Sequence, residues 1–295
     1  MNVLVRYLGK WGKGDLLCSD PMMLGLVECH GKDTRIWIEG ECGNVIHNPF
    51  VSGRAAQDLV PDRIVDVRLF THMGLEEYGR LEAKLSLVDH MCSYAGVRPS
   101  DARPKLHLGP QEHEFLRRLQ LETLPGPRVA ICADHVDPLR HWPVERWREV
   151  AKQLAARGAT ILEIGTKDAL GVGADLVGKL TLRQTAAVLT QCDLFLGNNS
   201  GPFHYAQAAG CTCVVLFSLA TPRRFIHPGA RVFAVQADEL PCIDCMTRRF
   251  AAMQRLGCVT TPHGKCMTMI ETGRVLRVVE NAYATISSQS LAFSS

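Results

Sequence analysis

Between residues 127 and 217 the chain alternates short apolar runs with helical stretches of about ten residues, and this pattern constrains the fold most. "RVAIC", "ATILEIG", "DLFLG" and "CTCVVLF" read as buried strands. Helical runs over 143–156, 181–190 and 201–209 separate them, the first with apolar or aromatic residues at 147, 150, 151, 154 and 155. Buried strands alternating with helices indicate βαβ units and a parallel sheet covered on both faces.

The first half carries a looser version of the same pattern. "NVLVRYLG", "TRIWIEG" and "RIVDVRLF" are strand candidates, with helical stretches over 16–29 and 73–96. Residues 97–110 carry three prolines and mark a boundary, which predicts domains over 1–108 and 109–295. A helix over 271–287 closes the pattern. The expected class is α/β, two doubly wound domains with a cleft between them.

Composition narrows the function classes. A net charge of +3 with dispersed Lys and Arg lacks the clustered basic footprint of nucleic-acid binding. No apolar run reaches the roughly 18 residues of a membrane span, and the first residues do not read as a secretory signal. The expectation is a cytoplasmic protein with no nucleic-acid partner. Its twelve cysteines are then reduced thiols.

Two glycine-rich signals fail on spacing. Gly9, Gly12 and Gly14 run G-x-x-G-x-G, not the dinucleotide G-x-G-x-x-G, and Gly14 precedes Asp15 where a P-loop needs Lys. What remains is a strand, a glycine turn and Asp15 at a helix start. Asp15 is either an N-cap or a carboxylate at the strand end, able to act as general base.

"GNNSGPFHYAQAAG" lies between two buried strands. Ser200 is an N-cap candidate, Pro202 suits the first helical turn, and Gly201 admits a ligand to the backbone. The free N–H groups and the helix dipole make an anion site suited to phosphate. His204 in that turn is as readily structural as functional. Arg140, just before Trp142-Pro143, offers a cation at another helix opening.

The segments "GKGDLLCSDPMMLGL", "RHWPVERWREVAKQLAARGATILEIG", "LTLRQTAAVLTQCDLFLGNNSGPFHYAQAAGCTCVVLFS" and "CMTMIETGRVLRVV" together resemble the heptosyltransferases of glycosyltransferase family 9. The resemblance implies a GT-B fold of two facing Rossmann-like domains, the first for the acceptor and the second for a nucleotide sugar. It implies inverting transfer from a donor such as ADP-heptose, with no cofactor for catalysis, as in lipopolysaccharide assembly. The acceptor would be a glycan, a lipid-linked sugar or a protein, reached from the cytoplasmic face and peripheral to the inner membrane.

Carried over residue by residue, Asp15 falls on the family's catalytic base. Gly14, Arg140, Asn199, Ser200, Gly201, Pro202 and His204 fall on donor-binding positions. Arg140 stands where the family usually has Lys, and Asn199 where it frequently has Asp. The first half is also shorter than usual.

Cys242, Cys245, Cys258 and Cys266 are spaced C-x₂-C-x₁₂-C-x₇-C, with His263 nearby. Four soft ligands suit a structural zinc or iron, and reduced loop thiols are the other reading. A branch of the same family carries a similar iron-binding cluster. Two alternatives to an active transferase stay open: a catalytically silent nucleotide-sugar binder, and an interaction protein built on the cysteine loop.

Overall fold

The computed structural model describes residues 1–9, 12–68, 85–135, 137–167, 169–243, 245, 258 and 265–292, with side chains up to residue 286. It divides into two compact units, Met1–Leu108 with Arg223–Gly229, and Gly109–Pro222 with Ala230–Ser295.

In the first unit β1 (Asn2–Leu8), β2 (Arg35–Glu39), β3 (Val51–Arg54) and β4 (Arg63–Arg68) form a parallel sheet in the order β3-β2-β1-β4. Val5 of β1 pairs with Ile38 on one side and Val65 on the other. The connection β1→β2 moves one way across the sheet and β4 returns to the opposite side of β1. The carboxyl ends of β1 and β4 therefore border the point where strand order reverses, the usual ligand position of open α/β sheets.

Helical sequence after β1 divides into α1 (Lys13–Leu17) and α2 (Asp20–His30) rather than running continuously from residue 16. Ser19 marks the break: its hydroxyl donates to the Leu16 carbonyl at 2.7 Å and lies 2.6 Å from the Tyr7 hydroxyl. α3 (Leu87–Ala95) is capped by Ser86, which accepts from Asp89 N–H, and ends at left-handed Gly96. Residues 73–84 of the expected helix lie outside the described residues. Strands β1, β2 and β4, together with α2 and α3, enclose a core that includes Val3, Val5, Met22, Leu26, Ile36, Val65 and Met91.

The second unit contains β5 (Arg128–Cys132), β6 (Thr160–Glu163), β7 (Ala174–Asp175), β8 (Leu194–Asn198), β9 (Thr212–Leu216) and β10 (Val232–Val235). All its neighbouring strands are parallel, in the order β10-β9-β8-β5-β6-β7. Counted from β5, this is the 3-2-1-4-5-6 order of doubly wound nucleotide-binding sheets, with its reversal between β5 and β8.

The helices of this unit are α4 (Pro110–Leu119), α5 (Val144–Ala156), α6 (Leu182–Leu189), α7 (Gly201–Ala209), α8 (Lys265–Thr268) and α9 (Thr272–Ala292). Buried Val129, Ile131, Leu194, Leu196 and Val214 of the sheet pack with Trp147, Val150 and Leu154 of α5 and Val275 and Val279 of α9. Trp142 meets Trp147 edge to face at 4.8 Å and donates its indole N–H to the Ile270 carbonyl.

Two buried carboxylates brace this unit. Glu112 of α4 takes a two-pronged pair of bonds from Arg183 of α6, at 2.6 and 2.8 Å, which holds its carboxyl down at about 2. Glu163 at the end of β6 accepts four backbone N–H bonds from Leu170, Gly171, Val172 and Gly173. Among the described residues no helix is long and apolar enough to cross a membrane.

Candidate active site

The second unit gathers its charged chemistry at the carboxyl ends of β5 and β8. Strand β8 ends on Asn198, whose side-chain amide donates to the Ala133 carbonyl at 3.2 Å and bridges the two strand ends. The next residue, Asn199, is held by its own N–H to Leu216. Ser200 then takes an extended conformation, and α7 begins at Gly201 with Pro202 in its first turn.

Ser200 occupies the N-cap position, yet its hydroxyl makes no bond to the helix N–H groups. It lies instead against the buried Cys132 thiol, which burial keeps protonated. The start of α7 thus lacks the side-chain oxygen that ordinarily satisfies these donors. Phe203 is locked in the core by Phe195 and Phe217, fixing the direction of the helix.

Arg140 stands in a short 3₁₀ turn, Pro138–Arg140, capped by the Asp137 carboxylate accepting from Leu139 N–H. Its Nη1 donates to the Asn199 carbonyl at 3.0 Å, and its Nε lies 3.6 Å from Asp137. Only 20% of this side chain is exposed. Two histidines flank it. Burial, reinforced by the Arg140 charge, lowers both His135 and His204 to about 4, so both are neutral at pH 7. The result is one fixed guanidinium at the start of a helix, an arrangement that attracts phosphate oxygens.

Asp134 braces this corner. Its Oδ2 accepts from Thr166 N–H, the Thr166 hydroxyl and Lys167 N–H, while Oδ1 lies 3.4 Å from the Cys132 sulfur. A Cβ at Gly165 would approach that Oδ1 to 2.2 Å, so the bridge requires glycine there. Asp134 and His135 were not foreseen from sequence. Their signal was "CADHVDP", a cluster of polar and charged groups immediately after a buried strand.

In the first unit, Asp15 lies in the first turn of α1, just beyond the carboxyl end of β1. Gly12, not Asp15, holds the N-cap position. A Cβ at Gly12 would come within 2.6 Å of Asp15 Oδ2, so the carboxylate folds back over the helix start. Gly14 is buried in the same turn, beneath the Cys18 sulfur. Burial, with the Asp15 charge second, raises the Cys18 thiol well above its ordinary range, and it is no nucleophile.

Of the late cysteines, Cys266 is buried and Cys242, Cys245 and Cys258 are half-buried. Burial pushes the Cys266 thiol up to about 11, and the charges of Cys258, Cys245 and Cys242 act on it in the same direction. Cys242, Cys245 and Cys258 are thus within electrostatic reach of Cys266. His263 lies outside the described residues.

The fold is that of the GT-B glycosyltransferases. The sequence profile of glycosyltransferase family 9 (heptosyltransferase) matches residues 85–253, more than half of the chain, and the chain belongs to that family. No curated protein sequence matches it.

Among solved structures, a family 9 glycosyltransferase from Veillonella parvula DSM 2008 is 16% identical with a TM-score of 0.66, over 95% of this chain and 96% of that one. ADP-heptose lipopolysaccharide heptosyltransferase II of E. coli is 14% identical with a TM-score of 0.64, over 98% of this chain and all of that one. The iron-containing dodecameric glycosyltransferase TibC of enterotoxigenic E. coli H10407 is 19% identical with a TM-score of 0.73, over 97% of this chain and 79% of that one. TibC has also been solved in complex with ADP-D-β-D-heptose.

Proposed function

We propose that this glycosyltransferase moves a heptose from a nucleoside-diphosphate heptose, ADP-heptose first among them, onto an acceptor hydroxyl with inversion at the anomeric carbon. The observation that carries the reading is the Arg140 bond to the Asn199 carbonyl at the side-chain-uncapped start of α7. A permanent cation and helix N–H groups at one strand-order reversal form a receptor for a diphosphate leaving group. Asn199, Ser200, Gly201, Pro202 and His204 line the same corner, and Gly14 serves the donor from beside Asp15. The complex of the heptosyltransferase TibC with ADP-D-β-D-heptose, and the ADP-heptose lipopolysaccharide heptosyltransferase II of E. coli, agree with this donor class.

Asp15 is the general base in this reading. It takes the proton of the acceptor hydroxyl as that oxygen bonds to the anomeric carbon. The bond from that carbon to the diphosphate oxygen breaks on the opposite face, and ADP departs with the electron pair. Growing charge on the diphosphate is balanced by Arg140 and the α7 dipole. Catalysis then requires no metal.

Cys242, Cys245, Cys258 and Cys266 fit a structural zinc or iron. Four soft sulfur donors, three of them within electrostatic reach of Cys266, suit a tetrahedral site, and a metal there would stabilise the thiolate forms. The acceptor is a glycan, lipid-linked or protein hydroxyl, modified on the cytoplasmic side.

The test is release of ADP from ADP-heptose, assayed with lipid-linked core saccharides and with serine-containing peptides as acceptors. Asp15→Asn should lower turnover by about 10²–10⁴-fold, the usual contribution of a general base, while ADP-heptose still binds. Undiminished turnover would reject the assignment.

A further inference from the structure

The segment Arg223–Gly229 belongs to the first unit although the chain on both sides of it belongs to the second. It is firmly built in. Phe225 packs against the first unit's core. His227 is buried and brings its Nε2 within 3.4 Å of the Cys18 sulfur. Gly229 turns with φ +73 against the stem of Arg103. Within this segment Arg224 is only 2% exposed.

An arginine so buried is retained only with charge compensation. The titratable groups tied to this place are Cys18 at the end of α1, Asp15 within it, His90 and Cys92 on α3 with Asp89 beside them, and His227. His90 is lowered to about 4, by burial first and by the Arg224 charge second, so it is neutral. Cys18 is a protonated thiol that feels opposing charges, Asp15 raising it and Arg224 lowering it. Lys13 faces Glu41 at 3.8 Å. The nearby Asp20 is engaged by Asn48, the Lys105 N–H and His107. Asp15, whose backbone carbonyl accepts from Cys18 N–H one turn on, is the carboxylate whose charge reaches the same buried thiol as the Arg224 charge.

We propose that Arg224 is a positioning residue for Asp15: its buried guanidinium, carried into the first unit by Arg223–Gly229, pairs with the Asp15 carboxylate and holds it ionised and aimed at the acceptor hydroxyl. The catalytic consequence rests on the reading of Asp15 as base; the pairing does not. A segment from late in the chain thereby completes the acceptor-side machinery.

The experiment is a double-mutant cycle of Arg224→Gln and Asp15→Asn in the full-length protein, read by thermal unfolding at pH 7.5 and pH 4, with Arg224→Lys alongside. Paired groups give Tm losses that do not add at pH 7.5, a coupling that largely persists at pH 4 because the paired carboxyl stays ionised below its unfolded value, and partial rescue by Lys. Additive losses at both pH values overturn the pairing. Should Arg224→Gln fail to fold, the cycle is run with Arg224→Lys against Asp15→Asn and judged on the same criterion. In the transfer assay the acid limb of kcat/KM moves up by about 1–3 pH units when the guanidinium is removed, the usual effect of an adjacent Arg on a carboxylate. An unmoved limb beside coupled unfolding overturns the positioning role and leaves the pair structural. Undiminished transfer by Asp15→Asn, with the coupling intact, rejects only the base assignment and so separates the two readings.

Discussion

Arg140 Nη1 donates to the backbone carbonyl of Asn199 over 3.0 Å, joining residues 59 apart in sequence at the carboxyl ends of two neighbouring strands. The bond fixes a guanidinium beside the first turn of α7. With His135 and His204 both neutral at pH 7, this cation is not shared with a charged imidazole.

Replacing Arg140 by Ala should therefore weaken ADP-heptose binding by about 10–100-fold, the worth of a charge-assisted hydrogen bond. Arg140→Lys, which keeps the charge without the fork, should fall between wild type and Ala. Fluorescence or calorimetric titration with ADP-heptose and with ADP measures both. Equal losses for Lys and Ala would show that geometry, not charge, dominates.

Glu163 makes the second unit sensitive to acid. Burial raises its carboxyl, but the N–H bonds from Gly173, Val172, Leu170 and Gly171 outweigh that and hold it below its ordinary value. Because the folded value is depressed, its contribution is fully present above the unfolded value of about 4.3 and is lost as pH falls through the folded one. Glu163→Gln keeps an amide oxygen for two of these N–H donors but sets an NH2 against the other two, and should cost about 2–4 kcal/mol at pH 7. Urea unfolding at pH 7 and pH 3 checks this: the deficit should shrink at pH 3.

The cysteine quartet predicts about one bound zinc or iron per chain in protein purified without chelator, by elemental analysis. Cys245→Ser should lose the metal and lower the Tm, as should chelation of wild type. Metal-free wild-type protein with an unchanged Tm would leave the four residues as reduced thiols.

Much of the second unit was legible in the chain itself. Its strands are buried on both faces and read as unbroken apolar runs, so β5, β6, β8 and β9 stand out, and Gly201–Ala209 begins where Ser200-Gly201-Pro202 signals it. The edge strands β3 and β7 did not, because four and two largely exposed residues carry no apolar signature. The break between α1 and α2 is made by the Ser19 hydroxyl bonding to Leu16, which leaves apolar periodicity on both sides intact.

The candidate site divides the same way. Asp15, Arg140, Asn199, Ser200 and His204 stand out as polar residues beside strands. Arg224 was not, because "TPRRFIHPG" reads as a surface loop with a basic pair, and its membership of the first unit is a tertiary fact. Ser200 offered the opposite lesson: its sequence position is that of a cap, but its hydroxyl lies against Cys132 and makes no bond to the helix it precedes.

The most direct measurement is calorimetric titration of the full-length protein with ADP-, GDP- and UDP-sugars, ADP-heptose among them, on wild type, Arg140→Ala and Asp15→Asn. The expected result is saturable binding of ADP-heptose to wild type, weakened in Arg140→Ala and nearly unchanged in Asp15→Asn. Wild-type protein that binds none of these nucleotide sugars would contradict the account.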